Sequence, residues 1–196
     1  MEIRAATPIR QLWGLRAAFD CRVKIRLLAA YFAIVPCLAS PSQSAAADPP
    51  SLLVLNLELV DSSGEVTDQR EDHERRLAMV RETLASELAA RDVYAVVDPT
   101  AIQAEIDATQ ERQYLHACNG CEIRFAREVD ADRVLTGHVR KVSSLIMALW
   151  VDIKDANTGR PVVREVLDFR GDNDKAWQRA ALYLARQLEQ LPPEAR

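Results

Sequence analysis

Residues 52–60 read LLVLNLELV, and how this stretch is taken decides the fold. Its first four residues are apolar without a break. Such a run suits a strand buried on both faces, in the middle of a sheet covered by helices. Read as one strand from Leu52 to Val60, it is followed by a polar stretch, DSSGEVTDQRED (61–72), with no apolar periodicity. Leu77, Val80, Leu84 and Leu88 then recur at helical spacing through Arg91, which predicts an amphipathic helix. VYAVVD (93–98) predicts a second strand. Strand, helix, strand in that order implies a parallel pair with a right-handed crossover.

The rest of the chain extends this start. Asp98-Pro99 has the chemistry of a helix beginning, with Ile102 and Ile106 on its inner face. A short helix is expected near Cys121, with Ile123, Phe125, Ala126 and Val129 inward. DADRVLTGHVRKV enters a strand, and LIMALWVDIKDANTGRPVVREVLDFRG supplies two more. Turns fall near Ser143-Ser144 and at Asn157-Thr158-Gly159, giving a three-strand antiparallel meander. Asp172 or Asn173 caps a last helix with the apolar stripe Trp177, Ala180, Ala181, Leu184, Leu188 and Leu191. Pro192-Pro193 stops it. The order is β-α-β-α-α-β-β-β-α: an α/β (α+β) chain with a single mixed sheet and helices packed over it.

The N-terminal part reads as a separate unit. A basic run (Arg22, Lys24, Arg26) precedes LLAAYFAIVPCLA (27–39) and then SPSQSAAAD. This is the order of a secretory signal peptide, with cleavage expected after Ala47. The apolar run is short for a bilayer span, which takes about 20 apolar residues. An uncleaved anchor and a lipidated Cys37 are the competing readings, and Pro36 suits the latter poorly. Translation beginning near Val23 would account for the residues ahead of the basic run. The expected division is residues 1–47 as extension and signal peptide and 48–196 as a single α/β domain, located in the periplasm. The whole chain has 25 basic and 29 acidic side chains, a formal charge of −4. Without residues 1–47 that charge becomes −8, since six of the basic and two of the acidic side chains are lost. An acidic domain with no basic cluster is not built to bind nucleic acid or anionic lipid.

VDADRVLTGHVRKV, LWVDIKDANTGRPV and FRGDNDKAWQRAALYLARQL together resemble a family of uncharacterised exported bacterial proteins. The architecture is similar to the N-terminal domain of TolB and to the CsgG and LpoB group of envelope proteins. Ala131, Asp132, Val134, Leu135 and Gly137 carry the first matching motif; Asp155, Thr158 and Gly159 carry the second. The resemblance implies an envelope accessory or interaction domain with an envelope protein as partner, no catalytic residues and no cofactor. It is specific for fold rather than function.

The chemistry-bearing stretch is QYLHACNGCEIRF (113–125). Export removes Cys21 and Cys37 and leaves Cys118 and Cys121 as a pair. In an oxidising compartment such a pair is most simply a disulfide. A redox couple is a second reading, with Cys118 as nucleophile and Cys121 as resolving thiol, although Glu122 would oppose a thiolate beside it. A zinc or copper site on His116, Cys118 and Cys121 is a third, needing a further ligand from His73, His138 or Glu122. Haem attachment needs His after the second cysteine, where Glu122 stands. His138 reads as a solvent-facing or satisfied strand residue, and His73 as a residue in or beside the polar loop with no visible partner. Asp152 and Asp155 read as turn formers, Arg170–Asp174 as a strand end and helix cap, and Trp150 and Trp177 as packing residues. No Ser-His-Asp signature, phosphate loop or His-Glu-x-x-His is present. Two functional readings follow: a non-catalytic envelope module acting through a sheet edge or the loop 61–72, and a thiol or metal protein centred on Cys118 and Cys121.

Overall fold

The computed structural model describes residues 48–193, so the expected signal peptide and its cleavage site lie outside the described residues. The elements run β1 (Ser51–Val54), β2 (Glu58–Asp61), α1 (Arg70–Ala90), β3 (Ala95–Val97), α2 (Gln103–Gln110), a 3-10 turn (Leu115–Ala117), α3 (Cys121–Glu128), β4 (Arg133–Ser143), β5 (Ile146–Asp155), β6 (Pro161–Phe169) and α4 (Asp174–Gln190). They build one mixed sheet in the order β3-β1-β4-β5-β6, with β2 also paired to β4. β1 runs parallel to both β3 and β4, and β4, β5 and β6 form the antiparallel meander.

One expectation needs correction. The stretch 52–60 is two strands rather than one, both parallel to β4. Val54 lies opposite Leu135 but Glu58 lies opposite His138, so the chain carries one extra residue between them. Side chains alternate between sheet faces, so an extra residue reverses the faces of everything after it. Leu53 and Leu55 pack with Ile106 and Phe125 under α2 and α3, whereas Leu57 joins Leu84 and Trp177 under α1 and α4. Gly137 makes room for this. A Cβ there would come within 2.8 Å of Leu57 Cδ2 and 2.7 Å of the Trp150 carbonyl oxygen.

Smaller differences concern boundaries. α2 begins at Gln103, because Asp98 caps an isolated turn through the Thr100 amide at 3.0 Å and the chain bends again before the helix starts. Asn173 rather than Asp172 caps α4, accepting from the Ala176 amide at 3.0 Å. α1 and α4 cover one face of the sheet from β1 to β6. On the other face α2, the 3-10 turn and α3 cover β1 and the start of β4. The remaining strip of that face, on β4, β5 and β6, carries no helix among the described residues.

Candidate functional site

The reversed alternation puts Glu58 beside His138 at the border of the uncovered strip. Its buried carboxylate accepts from the backbone amides of Leu115 (2.7 Å) and His116 (3.1 Å) and meets His116 Nδ1 at 2.6 Å. One carboxylate therefore holds the whole 3-10 turn against the sheet. A row of rings continues from it. Tyr114 and His116 centroids are 5.2 Å apart, His116 and His138 4.2 Å, and His138 and Trp150 5.8 Å, the last pair nearly parallel at 9°. Burial first, and the neighbouring His116 second, push the His138 pKa down to about 4, so this imidazole is neutral at ordinary pH.

Beyond His138 the strip is open. His138 is opposite Trp150, and Trp150 is opposite Val166, so the three share one face. Trp150 is 36% exposed and Val166 43%. Ile146 stands four residues along β5 from Trp150 on the same face and is also exposed, as is Tyr114 at the border. Trp177 is fully buried, as a packing tryptophan should be, but Trp150 is not. The difference is coverage: Trp177 points from α4 into the core between that helix and the sheet, whereas no helix among the described residues lies over Trp150.

The cysteines close a loop at the mouth of α3. Cys118 and Cys121 are disulfide-bonded with their Cα atoms 5.6 Å apart. Asn119 and Gly120 both adopt positive φ (52° and 112°) to make this reversal, a conformation that costs Gly least. The Glu122 carboxylate lies 3.0 Å from Cys118 Sγ, accepts from the Gly120 amide at 2.9 Å and pairs with Lys154 Nζ at 2.6 Å. Burial raises its pKa, but Lys154 and the backbone amides outweigh that and hold it below the usual carboxylate range. A fixed negative charge against Cys118 disfavours a thiolate there.

Of the proposed metal ligands, Cys118 and Cys121 lie with Glu122 in one group of donor atoms within 4.8 Å of one another. His116 is turned to Glu58, His138 is stacked between His116 and Trp150, and His73 belongs to another cluster.

That other cluster escaped the sequence reading. His73 lies on α1, buried, with Nε2 2.8 Å from Asp172 Oδ2. The same carboxylate pairs with Lys141 Nζ at 2.8 Å and accepts from Arg76 Nη1 at 2.9 Å and Trp177 Nε1 at 3.2 Å. Lys141 is 1% exposed and pairs also with Glu65 at 2.8 Å. Thus the loop after β2 is tied down by Lys141 rather than left free. Asp172 is a buried hub, not a cap. A signal existed: Lys141 falls on the phase of Leu135 and Val139, the core face of β4. Asp155 does form its turn, accepting from the Asn157 and Thr158 amides at 3.0 and 2.7 Å, but Asp152 pairs across the strands with Arg164 at 2.6 Å. Among the described residues no helix is long and apolar enough to cross a membrane.

No curated protein matches the chain. Among solved structures it is similar to the LpoB C-terminal domain from Escherichia coli, at 18% identity and TM-score 0.43 over 63% of this chain and 84% of that one. It is similar to the PelC dodecamer from Paraburkholderia phytofirmans, at 16% identity and TM-score 0.46 over 78% and 92%. The hypothetical protein CT253 from Chlamydia trachomatis shows 12% identity and TM-score 0.47 over 72% and 96%. Likenesses of this size carry no functional argument. The family model DUF3280, described as "Protein of unknown function (DUF2380)", matches residues 50–188, and the chain belongs to that family.

Proposed function

We propose that the chain is an exported, non-catalytic interaction domain of the bacterial cell envelope, and that a partner protein packs on the uncovered strip around Trp150. The observation that carries this is the strip itself. A sheet covered by helices elsewhere leaves Trp150, Val166 and Ile146 exposed on one face, beside the ring row of Tyr114, His116 and His138. Large apolar side chains gathered on one exposed surface mark an interaction site more often than scattered ones do. The Glu58 clasp and the Cys118–Cys121 bond rigidify the border of that surface, which lowers the ordering cost of binding. The signal-like order of residues 22–47 and the cysteine pair support placement in the periplasm.

The test is a photo-crosslinking residue at position 150 in the full-length chain expressed in a Gram-negative host. The expected result is a discrete protein adduct from the periplasmic fraction, absent when the probe is at Glu82, which is exposed on α1 over the opposite face of the sheet. No adduct at 150, or the same adducts at both positions, would count against the reading.

A second reading rests on one observation, the donor group of Cys118, Cys121 and Glu122. Reduced, these could hold zinc or copper with an open fourth position. Two things oppose it: the sulfurs are joined, and Lys154 occupies Glu122. Elemental analysis after purification under reducing conditions decides. The interaction reading expects no stoichiometric metal.

A further inference from the structure

β6 is the outer strand of the sheet. It pairs with β5 on one side and, among the described residues, with no strand on the other. Half of an edge strand's backbone N–H and C=O groups point outward and can template another strand. Beside this edge, between β6 and α4, lies a groove of about 620 Å³. Leu167, Phe169 and Ala180 contribute its apolar lining, and Arg170, Arg179 and Arg186 its charge. Asp168 lines it too, on the strand face opposite to Leu167 and Phe169.

The arginines decide what fits. Several of the domain's other guanidinium groups are paired: Arg76 with Asp172, Arg91 with Glu87, Arg133 with Asp155, Arg164 with Asp152. The three groove arginines make no ion pair with a described carboxylate. Arg186 only stands 5.9 Å over the Tyr183 ring. In a chain with more acidic than basic side chains, three such cations lining one groove, Arg170 just after β6 and Arg179 and Arg186 on α4, suit an anionic occupant.

We propose that the groove takes an acidic segment of a partner protein in extended form, added alongside β6 as a further strand. Backbone hydrogen bonds to the free edge would supply affinity, and carboxylates at alternate positions would meet the arginines. The spacing suits this. Arg179 and Arg186 are seven residues apart on α4, about 10 Å along the axis. An extended peptide covers that distance in about three residues, so carboxylates two to four residues apart reach both. The proposal rests on the interaction-domain reading but uses a different surface, on the α4 side of the sheet rather than the Trp150 side.

The experiment titrates a fluorescein-labelled peptide of four Glu-Val repeats with the chain purified from cells, read by fluorescence anisotropy. Saturable binding is expected, weakened about tenfold or more by Arg179→Glu with Arg186→Glu and weakened again by added salt. Hydrogen exchange should show new protection in the β6 amides. Both arginines are exposed, so circular dichroism should be unchanged; if the reversal unfolds the chain, Arg179→Gln with Arg186→Gln replaces it. The proposal fails if nothing saturates, if the charge-reversed or neutral double variant binds as well as the parent, or if the Lys-Val peptide binds equally. It also fails if a peptide with proline at the valine positions binds as tightly, since proline cannot donate to a strand edge. Displacement of the peptide by phosphatidylglycerol vesicles at lower concentration would make the occupant a lipid surface and overturn it. A crosslink at Trp150 that survives in the double variant would separate failure of this site from failure of the interaction-domain reading.

Discussion

Lys141 and His138 lie three residues apart on β4, on opposite faces of the sheet, and their fates differ completely. Lys141 projects into the face closed by α1 and α4. It is 1% exposed and held by Asp172 and Glu65, each at 2.8 Å. Burial pulls its pKa down, but these hydrogen bonds outweigh burial and keep it above the ordinary lysine value. His138 projects to the partly covered face. There it has rings on both sides, no charge at neutral pH, and the open strip next to it. The same strand therefore serves as scaffold on one face and as presenting surface on the other. What differs is what packs above, not the strand.

The comparison breaks most decisively at Asp172. Asp172→Ala leaves Lys141 buried without its main counter-charge, and we expect a loss of about 3–5 kcal/mol in urea unfolding. A loss under about 0.5 kcal/mol would mean the covered face is not held by this hub. The pH dependence has a definite sign. Burial raises the Asp172 pKa, but Lys141 and His73 outweigh it and lower the folded value. Its stabilisation is thus full above the unfolded value of about 4 and lost as pH falls further. The parent should show this acid limb, and Asp172→Asn should lack it.

Glu58→Ala comes next. It strands two backbone amides and frees His116, and should cost about 2–3 kcal/mol. Hydrogen exchange should quicken at Leu115 and His116 while the α1 and α4 amides stay protected. Uniform quickening would erase the distinction between the faces. Replacing Cys118 and Cys121 together by serine should lower stability by about 2 kcal/mol, the loop-closure value for so short a loop. The effect should disappear when the parent is measured under reduction.

The smallest expected effect is at Trp150. Trp150→Ala should change stability by about 1 kcal/mol or less, because the ring is part exposed. Its sharper signature is in NMR titration of His138: a midpoint near about 4 in the parent, moving upward once water replaces the indole. A parent midpoint near 6.5 would place His138 in solvent and dissolve the ring row.

Much of this was legible from residue pattern. The alternation in 133–155 and the stripe from Trp177 to Leu188 report burial directly, because period 2 and period 3.6 are how strands and helices show one face. The Asn157–Gly159 turn was legible because its chemistry is local. Asp172 was not. Its role as hub depends on Lys141, His73 and Arg76, which lie 31 to 99 residues away. Trp150 was misread as packing because a tryptophan on a strand looks the same whether or not a helix lies above it.

Apart from the break in 52–60, the sequence alone settled the order of elements, the parallel start, the meander and the close approach of the two cysteines, all consequences of local periodicity and short loops. Only the tertiary structure decided where the strand in 52–60 breaks. The extra residue after Val54 is absorbed because Gly137, on a different strand, has no Cβ to collide with Leu57. That one accommodation turns Glu58 to the side of His138 and so places the clasp, the ring row and the open strip. No reading of LLVLNLELV in isolation contains it, because the space that permits it belongs to another part of the chain.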